Sequence, residues 1–483
     1  MKTIFKMITF FMLLILLSTT SLASEWRLVS MGNARLALLD RDNDLNVYQY
    51  TFNPAYILFD ESQNWLKFSS GGDYYHSSFR RRYDPEIEQN VFFHFTGYKI
   101  MAPNQAIWGR VHYIFKHQYH VPYAIEPRPY ADDSALLADT TIGNIILDGP
   151  EIEITYQYQP WSRLGVGLEV VYDLWTSLKE QYTRPRTIHR DFAIKFGLAY
   201  HILPHLVIGS WLQASFLQDQ IELNKSWDGK DIYTRRYRSE FVYRGIVQEF
   251  DRYINLDRWH YNLALQFLRQ KYHMLLSFDY LYNMQEVADN TGTIRQIDSY
   301  WYQNGYQVDY WARIFINQLT LGVYGSYLAQ TDFSKHPNLP ILITDRSRHI
   351  YEVGAGISLP IHFLLLVGEV GLQQLDETYQ DYQSKLSWNG QNNKMTGIVG
   401  CELTLDPIHY LRLGYHYNNF KTGFESPRYL PNYQGHCLSL GLSEIRSSHE
   451  IEVHFDYTLK DAKATDHSVH GWHGIIHTRI FIP

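Results

Sequence analysis

From residue 64 to the end of the chain, apolar and polar positions alternate with a period of two. Ile451, Val453, Phe455, Tyr457 and Leu459 form one face, and Glu450, Glu452, His454, Asp456 and Thr458 form the other. Leu164, Val166, Leu168, Val170, Tyr172 and Leu174 stand against Gly165, Gly167, Glu169 and Asp173 in the same way. Phe192, Ile194, Phe196, Leu198 and Tyr200 stand opposite Lys195, Gly197 and His201. Similar runs begin at Tyr261, Tyr272, Tyr351 and Leu411. Strand side chains point alternately to opposite faces, so each run predicts a strand with one apolar and one polar or small face.

The predicted connections alternate between short and long. Short ones fall at 160–163, 203–205, 269–271, 317–318, 360–362, 406–409 and 444–448. Between them lie polar stretches at 118–149, 176–189, 218–257, 285–307, 331–346, 376–393, 421–433 and 459–469. Tight turns at one end and long loops at the other are the habit of a barrel spanning an outer membrane. In lipid every backbone N–H and C=O needs a partner inside the protein, so a membrane-spanning sheet must close on itself. The predicted fold is therefore all-β: a transmembrane antiparallel up-and-down barrel of about eighteen strands, within a range of about fourteen to eighteen. Short turns would face the periplasm and long loops the cell exterior. A propeller would show a blade-length repeat, and none is found beyond the hairpin period.

Composition sharpens this picture. The chain has 483 residues, of which 16% are aromatic, including 39 Tyr and 12 Trp, and 19% are charged. A mean hydropathy of -0.32 excludes a bundle of membrane helices but suits strands that are apolar on one face only. Tyrosine and tryptophan rings belong at the two edges of the bilayer, where ring and polar tip meet different media. Two cysteines, Cys401 and Cys437, exclude a disulfide scaffold.

The N-terminus reads as a secretory signal over 1–23, with Lys2 and Lys6 ahead of an apolar run at 7–17 and small residues at Ser21-Leu22-Ala23. Cleavage near Ala23 takes two positive charges from the formal -7, leaving -9. An acidic chain without a long basic tract gives no reason to expect nucleic acid. The mature chain divides into an N-terminal segment, 24–60, and the barrel, 61–483. Its expected home is the outer membrane of a Gram-negative bacterium, with lipid, lipopolysaccharide and other surface proteins as surroundings.

Residues 30–57 have a different texture. Ser30-Met31-Gly32-Asn33-Ala34 leads through Ala37, Asp40 and Asp42 to Asn53-Pro54-Ala55. This start resembles that of the long-chain fatty-acid transporter (FadL-like) family, in which the N-terminal segment enters the barrel as a hatch or lines its wall. The resemblance implies that Met31, Gly32, Asn33, Asn53 and Pro54 sit inside or against the lumen. Tyr56 stands where that family commonly has glycine. The Tyr-rich alternation is also similar to outer-membrane barrels of Bacteroidetes type.

Candidate chemistry is sparse. No Gly-x-Ser-x-Gly elbow, Walker loop or HExxH is present, so no catalytic residue and no cofactor are expected. The 22 histidines include a group at His112, His117 and His120 and another at His467, His470, His473 and His477. His473 and His477 share a face of the last strand and are the candidates for a transition-metal site. The alternative is that imidazoles simply suit a polar wall. Arg110, Glu169, Asp173, Lys195, Asp309, Arg313, Glu352, Glu369, Glu402 and Arg412 fall on the polar phase and are expected to line the lumen, paired with one another or with water. Arg235, Arg236, Arg238 and Arg244, among Tyr233, Tyr237 and Tyr243, give the longest loop a basic, aromatic stretch. Three functions suit such a chain: a channel or transporter for a small solute, a non-conducting accessory barrel of a surface complex, or a part in metal acquisition.

Overall fold

The computed structural model describes residues 53–56, 64–78, 80–81, 83–125, 135–181, 184–223, 232–236, 242–246, 250–269, 271–291, 294–338, 341–382, 385–423, 432–462 and 468–482. Among these residues one turn of 3-10 helix, Pro54–Tyr56, precedes twenty strands. The first seven are β1 (Asn64–Ser77), β2 (Ile87–Ala102), β3 (Gln105–Ala124), β4 (Ala135–Trp161), β5 (Leu164–Lys179), β6 (Arg186–Leu203) and β7 (Leu206–Leu223). Two short strands follow, β8 (Ile232–Arg236) and β9 (Val242–Ile246). The chain continues through β10 (Phe250–Arg269), β11 (Tyr272–Thr291), β12 (Ile294–Ile316), β13 (Leu319–Lys335), β14 (Leu342–Ile361), β15 (Leu364–Asp381) and β16 (Leu386–Thr404). It ends with β17 (His409–Thr422), β18 (Tyr433–Ile445), β19 (His449–Ala462) and β20 (Ser468–Ile482).

Successive strands pair antiparallel, β7 pairs with β10, and β1 pairs with β20 from Asn64–Ile482 to Ser77–Val469. With β8 and β9 off the ring, the remaining eighteen of the twenty strands close a cylinder. Closure removes the free edge that hydrocarbon would penalise. One face of each strand carries exposed apolar side chains, such as Phe93, Phe196, Leu276, Val353, Leu440 and Phe455, and this face is the lipid-facing band. The opposite face holds the polar residues. The chain is thus an outer-membrane β-barrel of the Gram-negative type. Among the described residues no helix is long and apolar enough to cross a membrane.

The short turns lie where the alternation predicts them. At two of them Asn317 and His362 adopt φ of 55°, as a two-residue hairpin turn requires. The polar stretches opposite are different from expectation. Residues 285–307 are paired strand almost throughout, since the β11–β12 ladder runs on to Thr291–Ile294. The β13–β14 and β15–β16 ladders likewise continue to Lys335–Leu342 and Asp381–Leu386. A hairpin ladder depends on backbone pairing, so loss of apolar alternation marks where a strand leaves the bilayer and not where it ends.

One hairpin leans across the mouth opposite the short turns. The β3–β4 ladder breaks register between Gln118 and Val121 and again between Pro122 and Ala124, where His120 and Tyr123 have φ of 52° and 60°. Beyond the break, Ile125 and Leu137 pack with Ile221 of β7, Ile254 of β10 and Val287 of β11. Those three face the lumen and lie beyond β5 and β6, so the tip bends inward over the opening. A buried ion pair holds it: Lys179 Nζ sits 2.9 Å from Asp139 Oδ1 and donates to the Ala124 carbonyl at 3.0 Å. The basic stretch of the loop contributes β8, whose backbone pairs with the tip of β4 from Ala135–Arg236 to Ala138–Tyr233. Tyr237 and Arg238 lie outside the described residues.

Candidate functional site

The short-turn mouth carries a closely fitted element of the lumen. Asn53 folds onto the turn that follows it, its Oδ1 accepting from the Ala55 N–H at 3.0 Å and its carbonyl from the Tyr56 N–H at 3.1 Å. Its Nδ2 then donates to the carbonyls of Leu198 at 3.0 Å and Ser210 at 3.3 Å, bridging β6 and β7. Gln157 of β4 donates to the Ala55 carbonyl. Ala55 and Tyr56 are fully buried, against Ala199 and Val207.

Three glycines make room for this turn. A Cβ at Gly167 would stand 2.2 Å from the Pro54 carbonyl carbon, one at Gly197 2.2 Å from Asn53 Oδ1, and one at Gly209 1.9 Å from the Tyr56 hydroxyl. All three belong to the inner faces of consecutive strands β5, β6 and β7, and Gly167 pairs directly with Gly197. The wall is therefore notched to the shape of residues 53–56. Met31, Gly32 and Asn33, like the signal segment, lie outside the described residues.

The ten charged residues expected on the lumen wall all lie on the face opposite the exposed apolar side chains. Glu169 and Lys195 are cross-strand partners 2.5 Å apart. Arg412 bridges Glu402 at 2.9 Å and Glu452 at 2.6 Å. Arg110 pairs with Glu151 and, at 2.9 Å, with Glu153. Asp173 lies 3.5 Å from His189, which stacks on Trp175. Asp309 accepts from Gln307 at 2.9 Å, and the Arg313 guanidinium lies over Trp311 at 5.1 Å. Glu352 accepts from Tyr324 at 2.9 Å and Gln373 at 3.1 Å, with Glu369 close by on β15. Of the buried charges, Glu169, Lys195, Glu402 and Arg412 are each paired, as charges with little access to water require.

The histidines do not converge. His473 bonds Asp73 across the β1–β20 seam, and His477 bonds Ser69 at 2.8 Å. His470 is held by Ser468 and Tyr457, and His467 lies outside the described residues. His112 stacks on His94, His117 on Tyr119, and His120 faces Glu86 at 3.3 Å. Among the described residues no group of three or more His, Cys, Asp or Glu is gathered as a metal site.

The glycine notch, Gln157 and the Lys179–Asp139 pair were not singled out by the sequence as functional. The available signal was glycine on the polar phase of neighbouring strands, seen at Gly167 and Gly197.

Residues 54–389 match the model of a family described as a family of unknown function, DUF6850. The chain belongs to that family. No curated protein matches the sequence. Among solved structures, this DUF6850 member is similar to the ferric preacinetobactin receptor BauA of Acinetobacter baumannii, at 10% identity over 87% of this chain and 80% of that one, with a TM-score of 0.45. It is similar to the ferric citrate transporter FecA at 9% identity over 85% and 78%, with a TM-score of 0.47. The toluene transporter TbuX of Ralstonia pickettii matches at 10% identity over 94% and 97%, with a TM-score of 0.34. At such identities and TM-scores these likenesses carry no argument about this chain.

Proposed function

We propose that this barrel is a gated channel or transporter for a small polar solute, with residues 53–56 as its periplasmic gate element. Barrels of about 16–18 strands are wide enough to enclose an aqueous passage. The observation that carries the reading is the fit of Asn53, Pro54 and Tyr56 into the notch at Gly167, Gly197 and Gly209. A wall shaped to receive a peptide turn inside the lumen serves a passage that is closed in one state and open in another. The paired charges around the wall favour a polar cargo over a hydrophobic one.

Conductance of the mature protein in planar bilayers tests this, alongside a variant lacking residues 24–56. The expected result is small or rare openings in the intact protein and large, frequent ones in the variant. Silence from both, with the barrel folded, would overturn the proposal and favour the accessory barrel.

A further inference from the structure

The lipid-facing side of the barrel carries a depression of about 440 Å3 over β1–β4, lined almost wholly by apolar groups. Its floor is a cross-strand pair of glycines, Gly97 and Gly109, at positions where the alternation otherwise sets bulky residues toward lipid. Leu66 beside Gly97 and Ile154 beside Gly109 form the side walls. Phe95 and Val111, paired two residues further toward the long-loop end, close that end. All four of these wall residues are exposed on the apolar face.

Lys99 and its cross-strand partner Ile107 close the other end. Lys99 lies close to the end of β2 at Ala102, so it stands at the short-turn edge of the apolar band. Its side chain is exposed and, among the described residues, forms no ion pair. From Phe95 to Lys99 is four residues, about 13 Å at a rise of about 3.3 Å per residue. The depression therefore runs from hydrocarbon to interface, apolar along its length and cationic at its rim. A groove left empty in hydrocarbon forfeits dispersion contacts along its lining, and an acyl chain restores them. A cation at the rim complements a phosphate at headgroup depth.

We infer that this depression is the seat of one glycerophospholipid from the leaflet at the short-turn end, with an acyl chain over Gly97 and Gly109 and its phosphate on Lys99. The chain lies below the general level of the lipid-facing side chains and is walled on both sides, which sets it apart from the lipid around the rest of the barrel. A second copy of the chain fits the site less well. Two barrels in one membrane are related by an axis along its normal, so a contact centred here would bring a second Lys99 to the same depth. Like charges facing each other at that depth repel. The site is independent of passage through the lumen.

Native mass spectrometry of the full mature protein, released from detergent micelles, supplies the test. The probes are dioleoylphosphatidylglycerol and dioleoylglycerol, which has the same chains and no phosphate. The parent is expected to retain one phosphatidylglycerol per barrel, at an occupancy at least fivefold above that of dioleoylglycerol. Lys99→Gln should lower phosphatidylglycerol to the dioleoylglycerol level and leave dioleoylglycerol unchanged. Gly109→Leu should remove both, since its Cβ has room, 3.6 Å from the Glu153 carbonyl oxygen, and its side chain fills the groove. Heat-modifiable gel mobility confirms that each variant is folded. If Gly109→Leu does not fold, Gly97→Leu replaces it, its Cβ meeting the movable tip of Leu66 at 2.9 Å. The inference is overturned if a folded groove-filling variant keeps the parent's phosphatidylglycerol, or if Lys99→Gln does. It is equally overturned if dioleoylglycerol is held as firmly, or if the parent is a dimer that the groove-filling variant splits, which would make a second copy the occupant.

Discussion

The Tyr56 hydroxyl fills the space that a side chain at Gly209 would need, lying 1.9 Å from where its Cβ would stand. The two residues are far apart in sequence and meet only because β7 enters the ring where the N-terminal segment docks. Gly209→Ala should therefore act on docking and not on the barrel, since alanine suits a strand as well as glycine does. Overpacking of this kind costs about 1–3 kcal/mol, or about a 5- to 150-fold shift in the docked population. The expected outcome is unchanged heat-modifiable mobility and a raised open probability in bilayers.

Asp139 and Lys179 have no exposed side-chain surface, and their pair ties the bent β3–β4 tip to β5. Asp139→Asn leaves a buried ammonium without its countercharge, at a cost of about 3–5 kcal/mol. Hydrogen exchange at the Ile125 amide, which donates to the Leu137 carbonyl, should accelerate while exchange in β17–β19 stays slow. Replacing both members with apolar residues, Asp139→Leu and Lys179→Met, should restore much of the protection.

Leu440 and Phe455 face each other across β18 and β19 on the exposed apolar face. Phe455→Arg should destabilise the barrel in lipid by about 2–4 kcal/mol if the position lies near the bilayer midplane. Urea unfolding in liposomes measures this directly.

Asp406, in the short turn between β16 and β17, has its carboxyl held below the usual carboxylate range. The Ile408 N–H donates to it at 2.9 Å, the His409 side chain approaches to 2.7 Å, and the His409 N–H donates at 2.9 Å. A depressed folded value means that the stabilisation is present above the ordinary aspartate value and is lost as pH falls through the lower one. Asp406→Asn should be less stable than the parent at neutral pH, and the two should converge in acid. Unfolding midpoints across that pH series decide it.

Much of this fold was legible because lipid enforces a strict period of two. The runs at Leu164, Phe192 and Ile451 announce strands, and their polar phase marks Glu169 and Lys195 as facing inward. That the two are partners depends on the register of β5 against β6, which periodicity alone does not set. Strand ends were less legible, as 285–307 shows, because pairing continues after apolar alternation stops. The docking of Asn53 on the Leu198 and Ser210 carbonyls was out of reach, since a contact between a turn and a distant wall leaves no periodic trace. Gly167, Gly197 and Gly209 become meaningful together only once three strands lie side by side.

If residues 53–56 are the gate, passage requires them to leave their notch. A reversible tether tests it most directly: Ala55→Cys with Gln157→Cys, joined where Gln157 now donates to the Ala55 carbonyl, in a background with Cys401 and Cys437 replaced by serine. Bilayer conductance is recorded on the oxidised protein and again after reductant is added. The expected result is a closed oxidised barrel that begins to open on reduction. Equal conductance in the two states, with the disulfide shown to form, would contradict it.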